Sequence, residues 1–227
     1  MVDYNAALKK PFLDVKNLII GILLSILPII NWFAMGYILE CTGLTKRKVS
    51  LDRSPDWTGW GSLFAKGFFS FVIGLVYMIP ALIVLFFAII SVVFNIIQQI
   101  GFQNLVGDNP EQIIMQNWDK IWPVLGAVLP YIIIMVVLLI LAAYVIPMAI
   151  MNYIANDRLG KAFAFGEVFR KAFNGKYFVA WILAMVISAI VGLVLGFIPW
   201  IGGPAGSFIG GVISYTILGQ VYREIRR

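Results

Sequence analysis

The chain has no histidine and a single cysteine, Cys41. Those two shortages remove whole classes of chemistry. Ser-His and Cys-His nucleophilic sites, His-ligated metals and disulfides within the chain have no residues to use. Zinc and haem lack their usual ligands, so no metal or cofactor is expected. No glycine-rich phosphate loop followed by Lys-Ser or Lys-Thr occurs, which argues against a nucleotide site. Charge is scarce too: 12% of 227 residues are charged, against about 25% in a soluble domain. In its place stands 61% hydrophobic residues and a mean hydropathy of +0.94. An ordinary globule with a wet surface is excluded, and so is disorder, which needs low hydrophobicity and high charge.

The remaining charges are not spread evenly. Four runs carry none: Asn17–Leu39, Gly67–Gly107, Ile121–Asn156 and Tyr177–Tyr222. About 20 apolar residues cross a bilayer core as a helix. Backbone N–H and C=O groups in lipid must be satisfied within the chain, which selects helices here. The alternation of a membrane β-barrel is missing. The expected fold is all-α, a polytopic integral membrane protein with about six membrane helices or half-helices arranged as three hairpins. Pro199–Trp200–Ile201–Gly202–Gly203–Pro204 breaks the last run into a hairpin of about 178–198 and 204–222. Pro80, Pro130 and Pro147 are expected to kink the two middle helices. Pro28–Ile29–Ile30–Asn31 cuts the first run into pieces too short to cross alone. Inside the runs there is no Asp, Glu, Lys or Arg, which argues against a proton relay or an ion-coupled carrier.

Lys and Arg set the sidedness. They are plentiful in 1–16, 40–66, 157–176 and the tail, whereas 108–120 holds only Lys120 against Asp108, Glu111 and Asp119. The loop 108–120 is therefore placed outside, and both termini inside. Asn17–Leu39 must then enter and leave by one face, as a short or re-entrant hairpin within 1–43. The alternatives are a single span with the N-terminus outside, and a cleaved signal peptide; Trp32–Leu39 stays apolar past any cleavage point.

A repeat links the two ends of the chain. Gly-x2-Leu-x3-Pro-x-Ile-x3-Ala occurs at Gly21, Leu24, Pro28, Ile30 and Ala34 and again at Gly192, Leu195, Pro199, Ile201 and Ala205. A shorter pattern, apolar-x-Lys-x-Phe, precedes three membrane runs at Lys10, Lys66 and Lys171. It reads as an interfacial entry in which lysine snorkels to lipid headgroups. Amphipathic helices are expected on the inner face at 56–66 and 160–173, followed by a long hairpin over 67–156 and a glycine-rich hairpin over 177–222, all in one membrane domain, 1–227. Ser188, Gly192 and Gly196, and Gly202, Gly206, Gly210 and Ser214, recur every four residues. Such faces let helices pack closely; packing within the last hairpin is the favoured reading, a homo-oligomer contact the alternative. Pro28, Asn31, Pro199, Gly202 and Gly203 expose helix-end backbone and are candidates for a solute path. Glu40, in Glu40-Cys41-Thr42-Gly43, either pairs with inner-face lysines or sits in a solvated loop stopped at Gly43; the solvated loop is the favoured reading. The net charge of +6 points to anionic membrane lipid rather than nucleic acid, because the cations flank membrane runs.

Three stretches carry a resemblance. They are Leu27-Pro28-Ile29-Ile30-Asn31-Trp32-Phe33-Ala34-Met35-Gly36-Tyr37, Asp56-Trp57-Thr58-Gly59-Trp60-Gly61-Ser62-Leu63-Phe64 with Gly67 and Tyr77-Met78-Ile79-Pro80, and Gln220-Val221-Tyr222-Arg223-Glu224. Together they resemble prokaryotic multi-pass membrane proteins grouped as domain of unknown function 4013. The resemblance implies a prokaryotic cytoplasmic membrane and no assigned activity. The segment Phe197-Ile198-Pro199-Trp200-Ile201-Gly202, with the helix to Tyr222-Arg223, is also similar to the CysZ sulfate permease family, which implies partly penetrating hairpins. The expected role is non-enzymatic: lipid organisation or scaffolding, with a channel or facilitator for a small solute, such as an anion, as the alternative.

Overall fold

The computed structural model describes residues 2–101, 112 and 115–226; of the expected outer loop 108–120, residues 108–111, 113 and 114 lie outside them, and 118–120 belong to the helix that follows. Every regular element among the described residues is helical. They are α1 (Tyr4–Lys9), a 3-10 turn (Lys10–Phe12), α2 (Val15–Ile26), α3 (Asn31–Glu40), α4 (Trp60–Ile100), α5 (Trp118–Asn156), a second 3-10 turn (Leu159–Phe163), α6 (Phe165–Ala172), α7 (Gly175–Gly196) and α8 (Gly202–Arg226).

Local chemistry sets the ends. The carboxylates of Asp3 and Asp14 accept the backbone N–H groups of Ala6 and Asn17, and the side-chain carbonyl of Asn174 accepts that of Lys176. Each satisfies a donor that the first helical turn leaves unpaired. Gly43 follows α3 at φ 65° and Gly101 follows α4 at φ 84°, the left-handed backbone that glycine adopts freely. Trp200 takes φ 65° in the turn between α7 and α8, a costlier choice for a bulky residue.

Three helices are long and apolar enough to cross a membrane: Trp60–Ile100, Trp122–Asn156 and Gly175–Gly196. α4 and α5 run through Pro80, Pro130 and Pro147 without interruption. α2 and α3, of 12 and 10 residues, are each too short to cross alone. The C-terminal helix, expected as a span over 204–222, is present but less apolar than the other three. α8 is long but carries Gly, Ser, Thr and Gln. Its surroundings are mostly protein: Phe208, Val212, Ile213, Ile217, Val221 and Tyr222 are all buried. A helix wrapped by other helices need not match lipid.

The chain divides into two compact units, 1–75 with 144–227, and 76–143. In the first, α8 packs against α7, α2, α3 and α1. Along α3, Tyr37, Ile38, Cys41 and Thr42 meet Phe208, Gly211, Thr216 and Gly219 of α8 in that order. α3 and α8 therefore run in the same direction. α7 runs against α8, with Gly192, Ser188 and Ala184 facing Gly206, Gly210 and Ser214. The two hairpins that carry the repeat thus have the same sense, and their turns point the same way. The second unit holds the C-terminal part of α4 and the N-terminal part of α5. Phe86, Phe87, Phe94, Leu129, Ile133 and Ile140 are exposed on it, far more apolar surface than a soluble protein leaves uncovered.

Two further expectations change. The interfacial helix placed at 56–66 is not a separate element: residues 56–59 are non-helical, and from Trp60 the helix continues unbroken into α4. Gly59, at φ 66°, sets that start. The helix placed at 160–173 is instead a 3-10 turn followed by α6.

Candidate functional site

The hairpins of the first unit open toward a polar end, and there the structure collects its buried polar groups. Three clusters make it up, each built around one of the lysines of the repeated pattern.

In the first, Lys10 follows α1 and is only 1% exposed. Its Nζ donates to the backbone carbonyls of Ser50 (2.5 Å), Leu51 (3.4 Å) and Arg53. Burial pushes its pKa down, because the low-dielectric surroundings disfavour the ammonium. Next to it, Asn17 donates to the Pro55 carbonyl at 3.1 Å and the Trp57 indole donates to the Asn17 carbonyl at 3.3 Å. The 47–58 loop is thereby tied down onto α1 and α2.

The second cluster surrounds Glu40, whose carboxylate is fully buried. Lys66 Nζ lies 2.5 Å from Oε1, Arg47 Nε 3.8 Å from the same oxygen, and the Thr45 hydroxyl donates to Oε2. The solvated loop favoured for Glu40 is therefore overturned: the carboxylate is an internal ion-pair partner. Beside it, Cys41 is buried and its thiol is pushed up to about 12 by desolvation, which leaves it unreactive.

The third cluster joins α5, α6 and α8. Lys171 Nζ donates to Asn152 Oδ1 (2.8 Å), Glu167 Oε1 (2.7 Å) and the Tyr222 hydroxyl (2.9 Å), and Tyr222 donates to Asn152 Oδ1 at 2.7 Å. The Asn152 amide donates to the Lys161 carbonyl at 2.7 Å. Glu167, bonded to Lys171 and then Lys161, has its pKa drawn down to about 2. Lys176 and Glu224 close the base of α7 and α8 at 3.2 Å.

These clusters correct the headgroup assignment of Lys10, Lys66 and Lys171. All three turn inward and are consumed by carbonyls and carboxylates of the protein. The signal was in the spacing. Two residues apart on a helix are about 200° apart around the axis, so when the flanking Phe faces out the lysine faces in. Phe12 and Phe173 are 57% and 66% exposed, whereas Lys10 and Lys171 are buried.

The other expected residues lie elsewhere. Pro28, Asn31, Pro199 and Gly203 are exposed at the two hairpin turns, and Gly202 is buried against the Leu195 carbonyl. Where α2 and α3 meet α8, the Phe208 ring fills the space beside Gly21 and Tyr37. Within the last hairpin, Gly206 touches Gly192, Gly210 touches Ser188, and the Ser188 and Ser214 hydroxyls share a hydrogen bond of 2.7 Å. Gly192 and Gly196 have open space where a side chain would point.

Two stretches set apart in sequence form one joint. α3 crosses the start of α4 so closely that a Cβ on Gly36 would lie 2.0 Å from the Leu63 carbonyl oxygen, and one on Gly67 1.8 Å from that of Trp32. Trp32 packs edge-on against Phe64 and Phe68, Phe33 against Trp60, and Tyr37 stacks on Trp57 at 4.3 Å. Comparison with known families places this joint in a wider setting. The family described as "Protein of unknown function (DUF4013)" matches residues 19–200. No curated protein and no solved structure matches the chain.

Proposed function

The chain belongs to the DUF4013 family, and we propose that it is a non-enzymatic, multi-pass protein of the cytoplasmic membrane that organises anionic lipid around its cationic end. One observation carries the reading. With three lysines consumed internally, the cations left exposed, including Lys9, Lys16, Lys46, Arg158, Arg170 and Lys176, still gather where the hairpins open. The exposed sides of the long helices are apolar, with Phe86, Phe94, Leu129, Ile133, Val179 and Leu193 among them, an arrangement that suits lipid with anionic headgroups at one interface. On this reading both termini face the cytoplasm, and the short α2–α3 hairpin enters the bilayer without crossing it. The small-residue faces are largely taken up within the last hairpin, so self-association would use another surface.

Lipid selectivity tests it. In reconstituted vesicles, spin-labelled phosphatidylglycerol should be motionally restricted at the protein boundary more than spin-labelled phosphatidylcholine, and salt should weaken the difference. Equal restriction of the two lipids would sink the proposal. A facilitator for a small anion is the second reading, supported by two broken hairpins of like sense with exposed prolines. Phe208 in the seam between them speaks against an open path. Liposome flux unchanged by Pro28→Leu and Asn31→Leu would dispose of it.

A further inference from the structure

The loop between α3 and α4 forms an open polar pocket of about 350 Å³. Arg47, Lys48 and Arg53 line it, together with Ser54, Thr58 and the single carboxylate Asp56. Three cations facing one small cavity repel each other, and a protein tolerates that readily where an anion visits. Arg47 is already committed, donating to the carbonyls of Asp56 (3.3 Å) and Thr58 (2.6 Å) and leaning on Glu40. Lys48 and Arg53 are exposed and, among the described residues, neither side chain holds a hydrogen bond or an ion pair.

The wall of the cavity is stiffened from beneath. The Lys10 ammonium draws the carbonyls of Ser50, Leu51 and Arg53 inward. Those oxygens, which would repel an anion, are engaged by the ammonium. Lys48 stands at φ 48°, a conformation held at some cost by the structure around it. Asp52, whose carboxyl is held below the usual range first by the Ser50 hydroxyl and further by the neighbouring Arg53 and Lys10 charges, does not line the cavity. The volume suits a group of headgroup size and not a whole lipid.

We propose that this loop is a binding site for a phosphate group, with Lys48 and Arg53 as its charged donors and Arg47 as its fixed wall. Arg and Lys with neighbouring hydroxyls are the side chains that recognise phosphate oxygens. The phosphate is that of an anionic lipid headgroup or of a soluble phosphate. The lipid source rests on the function proposed above; the site itself does not.

Thermal unfolding of the purified full chain in a neutral detergent separates these cases. Short-chain phosphatidylglycerol, short-chain phosphatidylcholine and inorganic phosphate are each added to the natural protein, to Lys48→Gln/Arg53→Gln and to Arg158→Gln/Arg170→Gln. The last removes equal charge from the same end, at residues that do not line the cavity. Phosphatidylglycerol should raise Tm for the natural protein and for Arg158→Gln/Arg170→Gln. Its apparent affinity should fall about tenfold or more in Lys48→Gln/Arg53→Gln, the scale expected for losing two charge-assisted hydrogen bonds. Lys48 and Arg53 are exposed, so that variant should keep its fold; Arg53→Gln alone should show an intermediate loss. Stabilisation by inorganic phosphate as well, with the same dependence on Lys48 and Arg53, identifies the site as one for free phosphate. Equal losses in the two double variants, or no stabilisation by either phosphate compound, would overturn the site; in the first case the lipid-selectivity measurement could still succeed.

Discussion

Glycine at one position is indispensable and at another is free, and the structure tells them apart. A methyl group on Gly36 would lie 2.0 Å from backbone of α4, which no side-chain rotation can relieve, whereas Gly196 has nothing within 4 Å. Overpacking of this kind costs about 1–3 kcal/mol or more. Gly36→Ala should lower the midpoint of detergent unfolding, while Gly196→Ala should be neutral or slightly stabilising through helix propensity. Equal effects would contradict the α3–α4 crossing. The Glu40–Lys66 pair is the second residue-scale case. Removing one partner strands a buried charge, so Glu40→Gln should cost about 3 kcal/mol. Glu40→Met/Lys66→Met should recover part of that, because the buried ammonium is gone and Arg47 keeps the Asp56 and Thr58 carbonyls as partners. A double-mutant cycle from unfolding curves measures the coupling. The spacing of Lys10, Lys66 and Lys171 marked them as special, but their partners come from residues as distant as Ser50 and Tyr222. Glu167, four residues before Lys171, is a local partner; nothing local in the chain names the distant ones.

Among the elements, α6 depends most on pH. Glu167 lies in its first turn and Lys171 in its last. The Glu167 pKa falls from an ordinary 4.5 to about 2 in the folded chain. Folding therefore favours the ionised form, and the stability this lends is complete above about 4.5 and is lost as pH falls toward 2. The side chain is partly exposed, so screening keeps the contribution modest. Protection factors of the amides across 159–173, corrected for the intrinsic exchange rate at each pH, should fall on acidification from pH 6 to about pH 3, and Glu167→Gln should remove that pH dependence. The boundaries of the last hairpin were legible from Pro199 and the glycines around it. The start of α4 was not. Trp57, Trp60, Leu63 and Phe64 share a helical face in sequence, but Trp57 belongs to the loop and stacks on Tyr37 of α3, a tertiary contact that outweighs local periodicity.

For the molecule as a whole, the repeat becomes a statement about direction. Both hairpins have the same sense, and the N-terminal segment meets the C-terminal helix through Asp3 and Gln220, at 2.7 and 3.2 Å. Cysteines at Asn5 and Arg226 should therefore react with a membrane-impermeant maleimide from one and the same side, and on the orientation proposed here that side is cytoplasmic. Cys41 supplies little background, being buried with its thiol raised to about 12. Labelling of positions 5 and 226 from opposite sides would refute the arrangement.

The sequence by itself determined the solvent, the helical class and the division into charged and uncharged segments. These follow from composition and from the cost of unpaired backbone in lipid, both of which are local quantities. Only the tertiary structure decided what the charges at the polar end do. A lysine written beside a membrane run can reach outward to a headgroup or inward to a carbonyl, and the local chain permits both. Which one holds depends on whether another helix brings an acceptor within about 3 Å. Here Glu40, Asn152, Tyr222 and the 50–53 carbonyls arrive from elsewhere in the chain. The lysines became internal ties, and on the function proposed here it is the cations around them that meet the membrane surface.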